Sequence, residues 1–304
     1  MNHYPSNVKE KLNSIILSMA EHHWLFSKNP GHDFTRQHLG KLSFYDTMRL
    51  IISMGKGSTN DEIMDYFNLD PDLIPSQSAF CQRRRQISLS AFEYLFSEFS
   101  SSFPSTTDKF KDHCILACDG CHVVYATNSD IIEDYNKPRL IDYKGYNHMH
   151  LNGFVDVISK AFLDVVIQPG QQPDEREALH SMLDHFTPDD PQKYIITADR
   201  GYESYDLLFH CELKNLGYVF RVKSPSSPKS ILSYYASEFP DDLEEFDVTI
   251  KRFFTDKATN IMKSQSDVYR YINPSKNTPH FYELLRKNHS HLYFLQFRVV
   301  KIKT

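Results

Sequence analysis

An α/β fold with a mixed sheet is predicted for the centre of this 304-residue chain, preceded by helices and followed by a β-rich tail. Three observations carry that expectation. From residue 113, short apolar runs closed by turn residues alternate with amphipathic stretches, in the order three strands, helix, strand, helix, strand. Before that point the apolar spacing is helical. After about residue 224, strand-like segments dominate again. The expected units are residues 1–112 (helical domain and linker), 113–223 (α/β core) and 224–304 (β-rich).

In the helical part, "TMRLIISMG" ends at Gly55. "STNDEIMDYFNL" follows, with Ser58 or Thr59 as N-cap and acids in the first turn. "DPDLIP" breaks the chain, and "SQSAFCQRRRQISLSAFEYLFSEF" reads as one helix or two. A helix, a break and then a helix bearing Arg83, Arg84 and Arg85 suit a helix-turn-helix-like DNA reader. They suit a solvated basic face equally, since three adjacent arginines cannot all face one groove. Residues 101–112, rich in Ser, Thr, Pro and charge, read as a linker.

In the centre, "HCILACDG" is a short apolar run ending in Asp119-Gly120. "HMHLNGFVDVIS" and "AFLDVVIQPG" read as strands, "PDEREALHSMLDHF" as a helix and "KYIITAD" as a strand. "SYDLLFHCELKNLG" reads as a helix stopped at Gly217, and "YVFRVK" as a strand. In the tail, "EFDVTIKRFF", "DVYRYINP" and "HLYFLQFRVVKIK" read as strands.

Composition excludes some classes. No run of about 18 apolar residues exists, so no membrane span is expected. The N-terminus lacks the pattern of a secretion signal, and five scattered cysteines suit a reducing, cytoplasmic setting. The net charge is −5, but its distribution is uneven. Residues 113–192 carry 5 Lys+Arg against 13 Asp+Glu, whereas residues 248–304 carry 11 against 3. An acidic centre beside a basic tail suits cations in the middle and phosphates at the edge, or is ordinary surface variation.

Asp119 and Asp199 each close an apolar run. On neighbouring parallel strands their carboxylates would meet at one sheet edge, where mutual repulsion favours a shared divalent cation, Mg²⁺ or Mn²⁺. Arg200 would then meet a phosphate, Gly201 would let the chain turn, and Tyr202 would stack on or bond to DNA. Each aspartate read singly is also an ordinary cap or turn former. Cys118-x2-Cys121-His122, with Cys114 nearby, lacks the second ligand pair of a zinc site. The histidines of "YNHMHLN" read as ordinary. Glu175 and Arg176 either support the site or serve a helix dipole.

The stretches "LACDGCHV", "HLNGFVDVISKAFLDVVIQPGQQPDEREAL", "IITADRGYESYDLL" and "LGYVFRVK" resemble DDE transposases of the insertion-sequence class, in the IS-four family. "DFTRQHLGKLSFYDTMRLIISMGKGSTNDEIMDYF" and "SAFCQRRRQI" resemble that family's helical DNA-binding portion, so the likeness spans nearly the whole chain. It implies a ribonuclease H-like catalytic domain interrupted by a β-rich insertion, acting with Mg²⁺ on transposon-end DNA as a dimer in the prokaryotic nucleoid. Asp119 and Asp199 match the first two catalytic acids. The third is a glutamate in a Tyr-x2-Arg-x3-Glu-x6-Lys motif. Tyr218 and Arg221 have its first spacing, but Pro225 stands where Glu belongs, and Glu238 and Glu283 lack the context. The expectation is therefore a chain truncated before that acid and inactive alone. The alternatives are a non-catalytic DNA-binding remnant and a metal-dependent nuclease of other purpose. The candidates for DNA contact are Arg83, Arg84, Arg85, Arg200, Tyr202, Arg221, Lys251 and Arg252.

Overall fold

The computed structural model describes residues 4–29, 34, 42–102, 109–138, 144–240, 243–257, 259–273 and 278–303. Part of the expected linker, 103–108, lies outside them, as do residues 33 and 35–41 of the helical-domain likeness. The chain divides into two compact units between Pro104 and Ser105.

Among the described residues, the first unit holds five α-helices: α1 (Tyr4–Glu21), α2 (Phe44–Ser53), α3 (Thr59–Tyr66), α4 (Gln77–Gln86) and α5 (Leu89–Ser101). Ser43, Ser58 and Ser76 cap α2, α3 and α4, each accepting a backbone N–H two or three residues on. Ile16, Met19, Met48, Ala91 and Leu95 join α1, α2 and α5 in one apolar cluster. Leu50, Ile63 and Phe80 join α2, α3 and α4 in another. The long segment read as one helix or two is two. Ile87 and Ser88 are extended, and Ser88 N–H donates to the Phe26 carbonyl at 2.8 Å, so the break is held by backbone pairing.

The second unit is built on a six-stranded sheet. Its strands are β1 (Cys114–Tyr125), β2 (Tyr135–Asn136), β3 (Tyr146–Asp156), β4 (Phe162–Pro169), β5 (Tyr194–Ala198) and β6 (Gly217–Phe220). β1, β3 and β4 pair antiparallel, whereas β5 runs parallel to β1 and β6 parallel to β5. The parallel partners are reached through α6 (Glu175–His185) and α7 (Tyr205–Leu213). Ala178, Leu179, Met182 and Leu183 form the buried stripe of α6 and pack on Leu116, Cys118, Phe154 and Ile196 of the sheet.

Two boundaries differ from the sequence reading. β1 does not stop at Asp119-Gly120; it runs to Tyr125 because β3 continues to pair with it after β5 has ended. α7 stops at Leu213 rather than at Gly217. Asn215 takes the left-handed conformation (φ 55°), and Leu216 N–H closes the turn on the Cys211 carbonyl.

A second sheet has β7 (Phe246–Thr255) between β8 (Tyr269–Tyr271) and β9 (Leu292–Lys301). The tail, expected to be β-rich, is not made of strands alone. It also carries a 3₁₀ segment (Ile231–Glu238), a short α8 (Asn260–Ser264) and the amphipathic α9 (Pro279–Lys287). Phe281, Leu284 and Leu285 of α9 share a core with Phe209 of α7 and Phe254, Leu295 and Phe297 of the second sheet. Among the described residues, no helix is long and apolar enough to cross a membrane.

Candidate active site

Along β1 the side chains of Cys114, Leu116 and Cys118 are buried, and the alternation ends at Asp119, which is exposed. Cys118 is the last β1 residue paired with β5, opposite Ala198. Asp119 and Asp199 are the next residue on each strand, so the two carboxylates leave neighbouring parallel strands at the same level. Asp119 Oδ1 accepts from Gly120 N–H at 2.9 Å, and Asp199 Oδ1 accepts from Gly201 N–H at 2.6 Å.

The first turn of α6 comes over this edge. A Cβ built on Gly201 would lie 2.9 Å from Asp199 Oδ1 and 2.9 Å from Glu175 Oε2, so these oxygens are at most twice that distance apart. Glu175 is set by its neighbours. Asp174 caps α6 by accepting from the N–H groups of Arg176 and Glu177. Its own backbone is pinned by Gln168 of β4, which in turn accepts from the buried Asn152 of β3. From the other side, Arg176 Nε donates to the Gly201 carbonyl at 3.2 Å, tying the helix start to the turn after Asp199.

His150, 3% exposed, completes the cluster. Its Nε2 lies 3.3 Å from Glu175 Oε1, yet neither ring nitrogen makes a hydrogen bond. Buried polar atoms without partners are costly, so this imidazole is held where another group would complete it. Carboxylate oxygens fit a hard divalent cation, and Glu175 and Asp199 approach one another at this edge, but the three acids are not drawn into one ligand cluster. Gly120 leaves the space that this arrangement needs. A Cβ there would lie 3.0 Å from Glu175 Oε1 and would collide with His150 Nε2. Gly120→Ala is expected to cost about 1–3 kcal/mol by overpacking, read as a lower melting temperature, and to weaken divalent-cation binding.

The other sequence candidates separate. Arg200 and Arg221 are exposed at the ends of β5 and β6 on the same edge as Asp199. Tyr202 is turned the other way: it is 0% exposed and sits in the core under the sheet, so it presents no ring to DNA. Its burial pushes the phenol pKa up, and burial beside it pushes the Cys118 thiol up to about 12. Arg252 is also removed from the surface, 6% exposed, ion-paired with Glu238 and lying over the Tyr235 ring. Its neighbour Lys251 is exposed. In α4, Arg84 and Arg85 are exposed, whereas Arg83 is partly buried against Phe34 and donates to Gln86. Cys114 and Cys118 are buried and Cys121 is exposed, so these thiols do not converge. His122 is exposed, with its ring edge-on to His148 and His150.

This geometry has a counterpart among known families. Residues 110–291, more than half of the chain, match the model of the transposase DDE domain. The chain belongs to the transposase DDE domain family. Membership implies a DNA substrate, and DDE domains generally use divalent metal ions. Compared with curated proteins, the chain has no match. The matched stretch of the DDE domain starts just before β1 and ends just before β9, so it contains Asp119, Asp199, Glu175 and His150 together.

Proposed function

We propose that this chain is a metal-dependent transposase of the IS-four family that cleaves transposon-end DNA and transfers the freed strand. The observation that carries the reading is the emergence of Asp119 and Asp199 from adjacent parallel strands at one level, with Glu175 reaching the same edge. The strand order β4-β3-β1-β5-β6, antiparallel in its first half and parallel in its second, supports a ribonuclease H-like core.

In this reading Asp119 and Asp199 hold Mg²⁺ or Mn²⁺, with Glu175 beside them. Bound there, the ions would activate an attacking oxygen and stabilise the leaving one. The protein's own part is positional. The Asn152–Gln168–Asp174 chain of hydrogen bonds holds Glu175 in place, and Gly201 N–H orients the Asp199 carboxylate. Arg200 and Arg221 hold phosphates at the same edge, and Arg84, Arg85 and Lys251 add further DNA contacts. Glu175 supports the two aspartates at this edge, without being the acid that sequence matching sought in a later helix. The active form is a homodimer on the two inverted repeats, working in the nucleoid.

The test uses the purified chain and linear DNA bearing the element's terminal repeats, with Mg²⁺ or Mn²⁺. Expected are breaks at the repeat ends that chelation stops. Glu175→Gln is expected to slow cleavage about 10–100-fold with end binding unchanged. Cutting that ignores the repeat sequence would instead mark a general nuclease. Repeat binding with no cutting in either metal would mark a binding protein.

A further inference from the structure

A second cluster lies away from the carboxylate site, where α6, α7 and α9 meet. His180 and Asp184 are four residues apart on α6, and Asp206 and His210 four apart on α7, so each pair shares one helix face. His280, in the first turn of α9, joins them. Among the described residues, these three histidines are the only group whose ligand atoms converge, all within 4.8 Å of one another.

A carboxylate faces one nitrogen of each ring. His210 Nε2 lies 3.1 Å from Asp184 Oδ1, His280 Nδ1 lies 2.7 Å from Asp206 Oδ2, and His180 Nε2 lies 3.5 Å from the same oxygen. Of these contacts the one from His280 is a hydrogen bond, and since a carboxylate only accepts, His280 Nδ1 carries the proton and its Nε2 keeps a lone pair. The Nδ1 atoms of His180 and His210 face each other at 2.9 Å and share one hydrogen bond, whose donor depends on the tautomers. A metal ion would take the place of that shared proton. Asp206 is itself 2% exposed and also accepts from the backbone N–H groups of His280 and Phe281, so its position is fixed.

We propose that His180, His210 and His280 form a transition-metal site, of the kind that takes Zn²⁺, which locks α9 to α6 and α7. Imidazole donors favour zinc, copper or nickel over magnesium, so this site and the oxygen site would take different ions. Each ring has a carboxylate on its far nitrogen, the arrangement that orients metal-bound histidines elsewhere. His210 and His280 are now stacked with centroids 3.9 Å apart. An ion sits in the plane of each ring, so binding must turn at least one ring about its χ2 axis. His180 and His280 line a solvent-open cavity together with Asp174, Arg176, Glu177 and Ser204, through which an ion would enter. The role is structural: α6 begins with Glu175, so fixing α6 also steadies the carboxylate site.

The test is a metal titration of the full chain, stripped with chelator, in an Asp119→Asn/Asp199→Asn background that disables the oxygen site. Co²⁺ serves as the spectroscopic probe and Zn²⁺ as its competitor. Expected are one Co²⁺ per chain with the intense visible bands of a four-coordinate site, displacement by Zn²⁺ but not by Mg²⁺, and a higher melting temperature with Zn²⁺. His280→Gln and His210→Gln should each weaken binding at least ~10-fold. Absence of the visible bands in the parent chain would overturn the site without reference to any variant. So would unchanged Co²⁺ affinity in both histidine variants. Loss of DNA cleavage has no bearing on this outcome, which keeps the test separate from that of the active site.

Discussion

Asp199→Asn is expected to abolish metal-dependent DNA cleavage, with a rate loss on the order of 10³-fold, while the protein stays folded. Asp199 is exposed, and the hydrogen bond its carboxylate accepts is local, from Gly201 N–H. An amide oxygen can accept that bond as well as a carboxylate does, so the turn survives. The negative charge does not. Asp119 and Glu175 would then face a divalent ion with one charge fewer, and the loss of several kcal/mol of transition-state stabilisation corresponds to about three powers of ten. Asp119→Asn should behave alike. The measurement is single-turnover cleavage of end-bearing DNA, with circular dichroism to check the fold. Cleavage within about threefold of the parent in both variants would remove these carboxylates from the mechanism. A unit built on Asp119, Asp199 and Glu175 should also be non-additive, so the double variant should be little worse than either single one.

Glu203→Ala is expected to destabilise the chain by about 3 kcal/mol or more without touching the carboxylate site directly. Glu203 is 3% exposed and lies four residues after Asp199. Its carboxylate accepts from Ser230 Oγ at 2.7 Å, Ile231 N–H at 2.6 Å, Lys223 N–H at 3.1 Å and Lys223 Nζ at 3.2 Å. It thereby pins the start of the tail to the turn that follows β5. Removing it leaves the part-buried N–H groups of Lys223 and Ile231 without their acceptor and takes one partner from the buried Ser230 hydroxyl. For a unit of this size the loss corresponds to a fall of roughly 6–12 °C in melting temperature.

The pH dependence follows from the same contacts. Burial raises the Glu203 pKa, but the hydrogen bonds from Ser230, Lys223 and Ile231 outweigh it and hold the pKa below the ordinary 4.5. A depressed carboxylate pKa stabilises the folded state fully above the unfolded value. That stabilisation is lost as pH falls through the folded one. Melting curves of parent and Glu203→Ala should therefore differ most above pH 4.5 and converge in stronger acid. A constant gap down to acid pH would show that the contacts do not depend on the charge.

Much of the active site was legible because its parts are local. "ILACDG" and "YIITADRG" show a carboxylate delivered by an apolar strand, and strand period and turn residues are written in consecutive positions. Glu175 was visible only as a first-turn acid, for which a dipole role was an equal reading. What distinguishes it is a bonding chain through Asn152 and Gln168, residues more than twenty and seven positions earlier. His150 carried no signal beyond its type. Tyr202 shows the limit of local reading in the other direction. It stands three residues after Asp199, but the turn closed by Tyr202 N–H on the Asp199 carbonyl sends its ring into the core instead of toward DNA. The helix α9 was missed because nine residues with one Pro and two aromatics look strand-like alone. The stripe Phe281, Leu284 and Leu285 becomes decisive only against Phe209.

The sequence by itself determined the alternation of strands and helices, the two aspartates and the likeness to DDE transposases. Each of these depends on residues near one another in the chain or on motifs of fixed spacing. Only the tertiary structure decided which charges stay in water. Arg252 and Arg200 look alike in sequence, yet Arg252 is buried on Glu238 and Arg200 stands exposed at the sheet edge. It also decided that His180, His210 and His280, thirty and seventy residues apart, converge. Burial and convergence depend on which faces dock across the fold, and desolvation acts on that docked geometry, which no local pattern encodes.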